Sequence, residues 1–263
     1  RVTVWGRFAR KVWLDELPFI APAEEALSTE PFFSFNYDGK PSAELLKEWN
    51  LTRSQKSLDL NRLQHELVWT DPKTGLQVRC QAIEYKDYPT LEWTVYFKNT
   101  GEAKTPILSN IRGVDVTLPG KDAQFPVLHH HTGSPSRNDD YRPYTTTLGQ
   151  DVVKHLNSDG GRGTDGEFPY FNLEFPGNGG AIVVVGWPGQ WAADFSSVVC
   201  PNGTKGLKVA AGQELTHLYL NPGEEIRTPL IVVQFWSGTY YDSQNVWRSW
   251  MLSHNVPHPY GEL

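Results

Sequence analysis

The sequence predicts an all-β fold in which many antiparallel strands form a sandwich or barrel, with one helix at the C-terminal end. Three observations support this class. Apolar and polar residues alternate with a period of two in several segments, turn sequences rich in Gly, Pro and Asn recur between them, and helical patterns are few. With 263 residues, the chain is long enough for one large domain or two smaller ones, each with a hydrophobic core.

The first clear strands begin near residue 65. Apolar and polar side chains alternate in "LQVRCQA", which follows the Pro/Gly turn "DPKTG". "TLEWTVYF" repeats the pattern, and Trp93 and Val95 share one face with Phe97. This alternation predicts antiparallel strands joined by short turns, each with one face buried.

The second half of the chain continues in the same way. Short segments of strand composition are separated by turn sequences such as "PGNGG", "PNGT" and "NPGEE". The segments are "FPYFNLEF", "AIVVVGW", "QWAADFSSVVC", "GLKVAAG", "ELTHLYL" and "TPLIVVQFW".

Two segments have helical character. Residues 42–49 ("SAELLKEW") predict one or two turns. Residues 242–252 contain no Gly or Pro and place Val246, Trp247 and Trp250 along one stripe. We therefore predict a terminal helix at about residues 242–254.

Bulk properties exclude two classes of partner. The formal charge is -6 and no run of Lys or Arg occurs, so the basic surface of a nucleic-acid-binding protein is not expected. The longest apolar run is far shorter than the roughly 20 residues that a membrane-spanning helix needs. Only Cys80 and Cys200 are present, as one disulfide or two thiols. The expected location is secreted or periplasmic.

Residues 127–143, "VLHHHTGSPSRNDDYRP", concentrate the polar chemistry of the chain. On an extended segment His129 and His131 would project from one face, and Asp139, Asp140 or His155 could complete a metal site. The pattern itself places only the first two of these ligands. We therefore expect neither a metal ion nor a cofactor.

Acid/base chemistry is a second interpretation of the same segment. A histidine paired with a carboxylate is the arrangement that sugar epimerases on large β-sandwiches use, and His130 or His131 as acid with an aspartate or Glu174 as base would supply it. Nucleophilic catalysis has less support, because no Gly-x-Ser-x-Gly turn occurs.

A sugar-binding loop is the third interpretation. Planar bidentate groups on Arg137, Asp139, Asp140 and Arg142 suit sugar hydroxyls, and Tyr141, Trp187 or Trp191 could stack on a sugar ring. The simplest alternative is a solvated loop in which the Arg and Asp side chains pair with one another. The residues alone leave these interpretations open.

Several longer stretches resemble the amino-terminal β-domain of glycoside hydrolase family 36, the α-galactosidase (melibiase) group. "GRGTDGEFPYFNLEF" and "GGAIVVVGWPGQWAADF" are similar to the Gly-rich loop and the two strands that follow it in that domain. "LNPGEEIRTPLIVVQFWSGTYYDSQNVWRSWML" is similar to the end of the domain, where a helix leads into the catalytic barrel. The resemblance extends from about residue 31 to residue 256.

The resemblance implies that residues 1–263 form a single β-supersandwich domain of the galactose mutarotase type. It also implies that the full enzyme cleaves α-galactosides with retention, which requires two carboxyl groups about 5 Å apart. In the family both belong to aspartates of the (β/α)8 barrel. The sequence ends at Leu263, where the resemblance places the start of that barrel, so we expect a non-catalytic domain that is inactive alone.

The resemblance further implies that loops of this domain border the substrate pocket, either its own or that of a neighbouring subunit. The expected partners are an α-galactoside, the catalytic barrel and a second copy of the chain. A stand-alone mutarotase-like epimerase and an independent carbohydrate-binding module remain as alternatives. The residues to which substrate binding is assigned are Asp38, His130, His131, Arg137, Asp139, Asp140 and Trp187.

Overall fold

The structure is a computed structural model that describes residues 31–118, 120, 123–176, 179–200 and 203–257. These residues form eighteen strands and two helices. In chain order they are β1 (Ser34–Tyr37), β2 (Lys40–Pro41), α1 (Ser42–Leu45), β3 (Asn50–Ser57), β4 (Arg62–Thr70), β5 (Leu76–Tyr85), β6 (Thr90–Asn99), β7 (Leu108–Arg112), β8 (Val114–Leu118), β9 (Val127–His131), β10 (Pro143–Thr147), β11 (Val153–Asn157), β12 (Tyr170–Phe175), β13 (Gly179–Gly186), β14 (Trp191–Val199), β15 (Lys205–Gln213), β16 (His217–Leu218), β17 (Glu225–Arg227), β18 (Leu230–Ser237) and α2 (Tyr240–His254).

The described strands form three sheets, in which neighbouring strands are antiparallel. The large sheet has the order β10-β9-β12-β13-β18-β6-β5-β4-β3, and β17 also pairs with β6. The β1 sheet has the order β16-β7-β1-β2, and the β14 sheet has the order β11-β14-β15-β8. The predicted all-β class with a C-terminal helix is therefore confirmed.

The main core lies between the large sheet and the two smaller sheets. Phe35 of β1 meets Phe97 of β6 at a ring-centroid distance of 5.1 Å. Phe171 of β12 meets Phe195 of β14 at 4.8 Å. Both smaller sheets thus pack against one face of the large sheet, which we call its inner face, and apolar burial there is the main source of stability.

Helix α2 covers part of the opposite, outer face of the large sheet. Ile182 and Val184 of β13 pack beneath Trp250 of the helix, whereas Val183 and Val185 point into the main core. β13 is therefore buried on both faces, which explains why its sequence is a continuous apolar run rather than an alternating one.

The local chemistry of α2 fixes where the helix begins. Thr239 is the N-cap residue and forms a capping box with Asp242: the Thr239 N–H donates to Asp242 Oδ2 at 2.8 Å, and the Asp242 N–H donates to Thr239 Oγ1 at 3.4 Å. The predicted helix is confirmed, although it begins at Tyr240 because Asp242 occupies the third helical position rather than the cap.

Not every element follows from the sequence pattern. The hairpin of β4 and β5 is confirmed, with Leu67 opposite Cys80. The sequence pattern did not predict β3. Nearly all of its residues are exposed on both faces, so apolar and polar residues need not alternate along it. Among the described residues, no helix is long and apolar enough to cross a membrane.

Candidate functional site

Strands β9 and β10 and the loop between them carry the polar segment singled out from the sequence. β9 lies between β10 and β12 near one edge of the large sheet. Its side chains alternate, so His129 and His131 project from the outer face and His130 from the inner face. The expected projection of His129 and His131 from one face is therefore observed.

His129 is held by three neighbours. Its Nε2 lies 2.8 Å from Glu174 Oε2, and its Nδ1 lies 3.1 Å from Thr145 Oγ1. Its ring also lies 4.5 Å from the ring of Tyr240, in the first turn of α2. Both ring nitrogens are therefore occupied, and His129 joins the sheet to the start of the helix.

His130 and His131 differ in their surroundings. His130 is only 3% exposed, stacks on Tyr144 at 5.4 Å and places Nδ1 3.5 Å from Glu167 Oε2. This burial leaves no free surface on His130 for a ligand. Burial lowers the pKa of His131, and the neighbouring His130 and His129 lower it further, so the neutral imidazole is favoured on the outer face.

The loop after β9 is organised by Asp140. Its carboxylate accepts hydrogen bonds from the Arg137 N–H and from Ser134 Oγ, each at 2.9 Å. These bonds, the first of them most strongly, lower the pKa of Asp140. Asp140 therefore shapes the loop backbone, and within the described residues no ion pair joins the side chain of Arg137 to Asp139 or Asp140.

Trp187 and Asp38 lie apart from this strand and loop. The ring of Trp187 lies beneath the Arg227 guanidinium, at 5.1 Å. Asp38 lies in the turn between β1 and β2, in a different sheet, where its N–H donates to the Ile107 carbonyl at 3.0 Å. In the part of the chain that the structure describes, no contact joins Asp38 to the histidine strand.

A second loop, residues 158–167, connects Trp187 to the polar segment. The Gly133 N–H donates to the Gly166 carbonyl at 2.7 Å, and the Gly163 N–H donates to the Pro188 carbonyl at 2.9 Å. The two loops and the end of β13 therefore form one continuous rim. The structure places all the predicted site residues except Asp38 on or beside this rim.

A row of aromatic rings on the rim was not predicted as a group. Tyr141 meets Phe168 at 5.4 Å, Phe168 stacks on Tyr170 at 4.8 Å, and Tyr170 meets Trp247 of α2 at 5.6 Å. These residues come from three separate segments, so only their individual aromatic character was visible in the sequence. The row links the polar loop to the helix.

One cavity does not belong to the rim. A cavity of about 410 Å³ lies between α1, β3, β4 and the β14 sheet, with Trp69 and Cys80 in its wall and Asp115 and Lys208 at its edge. None of the predicted site residues lines it. Among the described residues, no group of three potential ligands is arranged to hold a metal ion.

Comparisons with known proteins identify the fold. No protein-family model and no curated protein sequence matches the chain. Solved structures do match, including the family 36 α-galactosidase AgaA from Geobacillus stearothermophilus in complex with raffinose, with 17% identity and a TM-score of 0.63 over 83% of this chain and 32% of that chain. The chain has the fold of a region of family 36 glycoside hydrolases.

Two further solved enzymes share this fold region. The α-galactosidase from Lactobacillus brevis matches with a TM-score of 0.64 and 14% identity, over 85% of this chain and 31% of that one. The α-N-acetylgalactosaminidase NagBb from Bifidobacterium bifidum matches with a TM-score of 0.51 and 8% identity, over 86% and 34%. The chain thus spans about a third of the length of these enzymes, and the resemblance noted in its sequence is confirmed at the level of fold.

Proposed function

We propose that this chain is a non-catalytic domain of an α-galactosidase-like glycoside hydrolase, and that it holds a catalytic (β/α)8 barrel and borders its sugar pocket. The proposal rests on one observation: the fold match covers most of this chain but only about a third of each enzyme. The remaining two thirds of those enzymes is long enough for a barrel of about 250 residues or more.

The exposed side of α2 supports the docking part of the proposal. Tyr241 and Leu252 are 77% and 47% exposed, and Arg248 lies between them on the same side of the helix. Large apolar residues interspersed with arginine are typical of buried protein interfaces. We assign this surface to the catalytic barrel.

The rim supports the sugar-pocket part. Arg137 and Asp139 offer planar hydrogen-bonding groups, and His131 and Trp187 lie on the same rim. Such a mixture suits an α-galactoside, whose hydroxyls need donors and acceptors and whose ring needs an apolar face. Asp38 and the buried His130 have no part in this arrangement.

Enzyme assays test the proposal directly. The purified chain should not hydrolyse p-nitrophenyl α-galactoside, and it should bind the AgaA chain expressed without the matched third. Binding should weaken at least about tenfold in the double variant Tyr241→Ser/Leu252→Ser, since two apolar anchors are lost, and should persist in Val153→Ser, which removes an exposed apolar side chain from β11 in the β14 sheet. Hydrolysis by the chain alone, or equal binding by all variants, would refute the proposal.

One observation favours a mutarotase-like epimerase as a second candidate. His129 and Glu174 form a histidine–carboxylate pair at 2.8 Å, which is the pairing that acid/base catalysis needs. The candidate requires that the chain accelerate galactose mutarotation in a polarimeter and that Glu174→Gln abolish the acceleration. An independent carbohydrate-binding module would instead bind immobilised glycans without any catalytic partner.

A further inference from the structure

Strand β10 forms one outer edge of the large sheet. Among the described residues, β9 is its only partner strand, and four of its five residues are exposed. Residues 143–150, "PYTTTLGQ", carry no charged side chain, and Tyr144 is 39% exposed. An uncharged edge strand of high β propensity is a template for pairing with another strand.

The hydrogen bonds beside β10 show which of its backbone groups point outward. Thr132 N–H donates to the Arg142 carbonyl, and Leu148 N–H donates to the Pro126 carbonyl, each at 3.0 Å. Hydrogen-bonded pairs alternate along an antiparallel ladder, so the even-numbered residues of β10 bond to β9. The backbone groups of Pro143, Thr145 and Thr147 therefore face away from the sheet.

Pro143, Thr145 and Thr147 each turn a backbone nitrogen and a carbonyl outward, which gives six positions. Two of these six positions need no hydrogen-bond partner. Pro143 has no N–H, and the Thr147 carbonyl already accepts the Gly149 N–H at 3.1 Å. The groups that remain are the Pro143 carbonyl, both groups of Thr145 and the Thr147 N–H. They are two donors and two acceptors, arranged symmetrically about Thr145.

We propose that β10 pairs with β10 of a second copy of this chain, antiparallel and about a two-fold axis at Thr145. Each Thr145 N–H then donates to the carbonyl of the partner's Thr145, and each Thr147 N–H donates to the carbonyl of the partner's Pro143. The missing N–H of Pro143 lies opposite the carbonyl of the partner's Thr147, which is already bonded. All outward backbone groups are satisfied in this register.

Side-chain pairing and charge also favour β10 of a second copy as the partner strand. Tyr144 lies opposite the partner's Thr146, and aromatic residues with β-branched ones are favourable cross-strand pairs. The opposite edge of the large sheet, β3, contains Arg53 and Lys56, so two copies joined there would bring like charges together. This inference goes beyond the proposed function and does not depend on it.

Sedimentation equilibrium of the full chain over a range of concentrations tests the pairing. We expect a reversible dimer, weak because a single edge strand forms the contact. Thr145→Pro removes the outward N–H while leaving the bonds to β9, so it should raise the dimer dissociation constant at least about tenfold. Thr145→Ser keeps the N–H and a hydroxyl for His129, and should leave the constant unchanged.

Amide hydrogen exchange gives a second measurement on the unaltered chain. The Thr145 and Thr147 amides should exchange more slowly as protein concentration rises, because only the dimer protects them. Because it uses the unaltered chain, this measurement tests the proposed pairing of β10 even if Thr145→Pro fails to fold. A chain that is monomeric at every concentration, or a dimer in which these two amides gain no protection, would overturn the proposal.

Discussion

Tryptophans are almost completely buried on both faces of the large sheet, and two of them, Trp93 and Trp250, differ in the chemistry of their burial. On the inner face, Trp93 is 1% exposed and its Nε1–H donates to the Gly113 carbonyl at 2.7 Å. Beneath α2 on the outer face, Trp250 is 2% exposed, and no acceptor among the described residues lies within hydrogen-bonding distance of its Nε1. The two side chains are buried to nearly the same extent. The Trp93 N–H has a hydrogen-bond acceptor, whereas the Trp250 N–H has none among the described residues.

This difference shows how the two faces were assembled. On the inner face, the Trp93 N–H meets a backbone carbonyl beside a neighbouring strand. On the outer face, the helix supplies polar partners through Ser243, Ser249 and Ser253, but none of these groups reaches the Trp250 N–H. An unpaired indole N–H costs about 1–3 kcal/mol, so the helix is held less firmly than its buried area alone implies.

The largest expected effect is the loss of either indole ring. Trp93→Ala should lower the free energy of unfolding by about 5 kcal/mol, because it removes a fully buried ring and leaves the Gly113 carbonyl unpaired. Trp250→Ala should cost about 3 kcal/mol, since the loss of packing is offset by removal of the unpaired N–H. Guanidinium denaturation followed by circular dichroism measures both values, and equal costs would contradict the contrast.

Replacement by phenylalanine isolates the N–H group. Trp93→Phe should cost about 2 kcal/mol, because a buried carbonyl loses its donor and a small cavity remains. Trp250→Phe should cost less than about 1 kcal/mol, since its N–H had no acceptor to lose. The same denaturation curves compare the pair, and a larger cost at position 250 than at position 93 would show that Trp250 is hydrogen-bonded in solution.

The sequence predicted the inner face better than the outer one, for a physical reason. Alternation in "TLEWTVYF" placed Trp93 with its apolar neighbours, because a sheet with one packed face imposes a period of two. The stripe containing Val246 and Trp250 predicted a helix, but not the surface that it covers. β13 was recognised as a strand, and its continuous apolar run is typical of burial on both faces, but the run does not identify the helix that covers the outer face.

The candidate site was predictable to a similar extent. The projection of His129 and His131 from one face follows from strand geometry alone. The pairing of His129 with Glu174 depends on the register of β9 against β12, which places His129 opposite Asn172. Register between strands distant in sequence is set by tertiary packing, so the pattern of either strand alone does not fix it.

Asn172 provides the third test, because it links the sheet to the helix across the outer face by hydrogen bonds. Its side-chain amide donates to Ser243 Oγ at 2.7 Å, and its carbonyl oxygen accepts the Trp236 Nε1–H at 2.9 Å. Asn172→Ala should cost about 2 kcal/mol of unfolding free energy, since it leaves the buried Trp236 N–H unpaired and removes the donor to Ser243 Oγ, which still donates to the Tyr240 carbonyl. The exposed Asn138→Ala serves as a control with little expected change, and equal stabilities would show that the link is dispensable.

The smallest effect is expected at Glu92, and it has the opposite sign. Burial on the outer face raises the pKa of this carboxyl above its usual range, while Tyr85, Arg62 and His254 partly oppose the shift. A raised pKa in the folded state means that the contribution of Glu92 to stability is fully present below its unfolded pKa of about 4.3 and declines as the pH rises through the folded value. Glu92→Gln should therefore be more stable than the unaltered chain at pH 7, and the two should converge below about pH 4. Thermal unfolding across this range measures the difference, with the exposed Glu102→Gln as control. A stability difference that does not change with pH would show that Glu92 is solvated, and that the outer face is more open to water than its packing beneath α2 indicates.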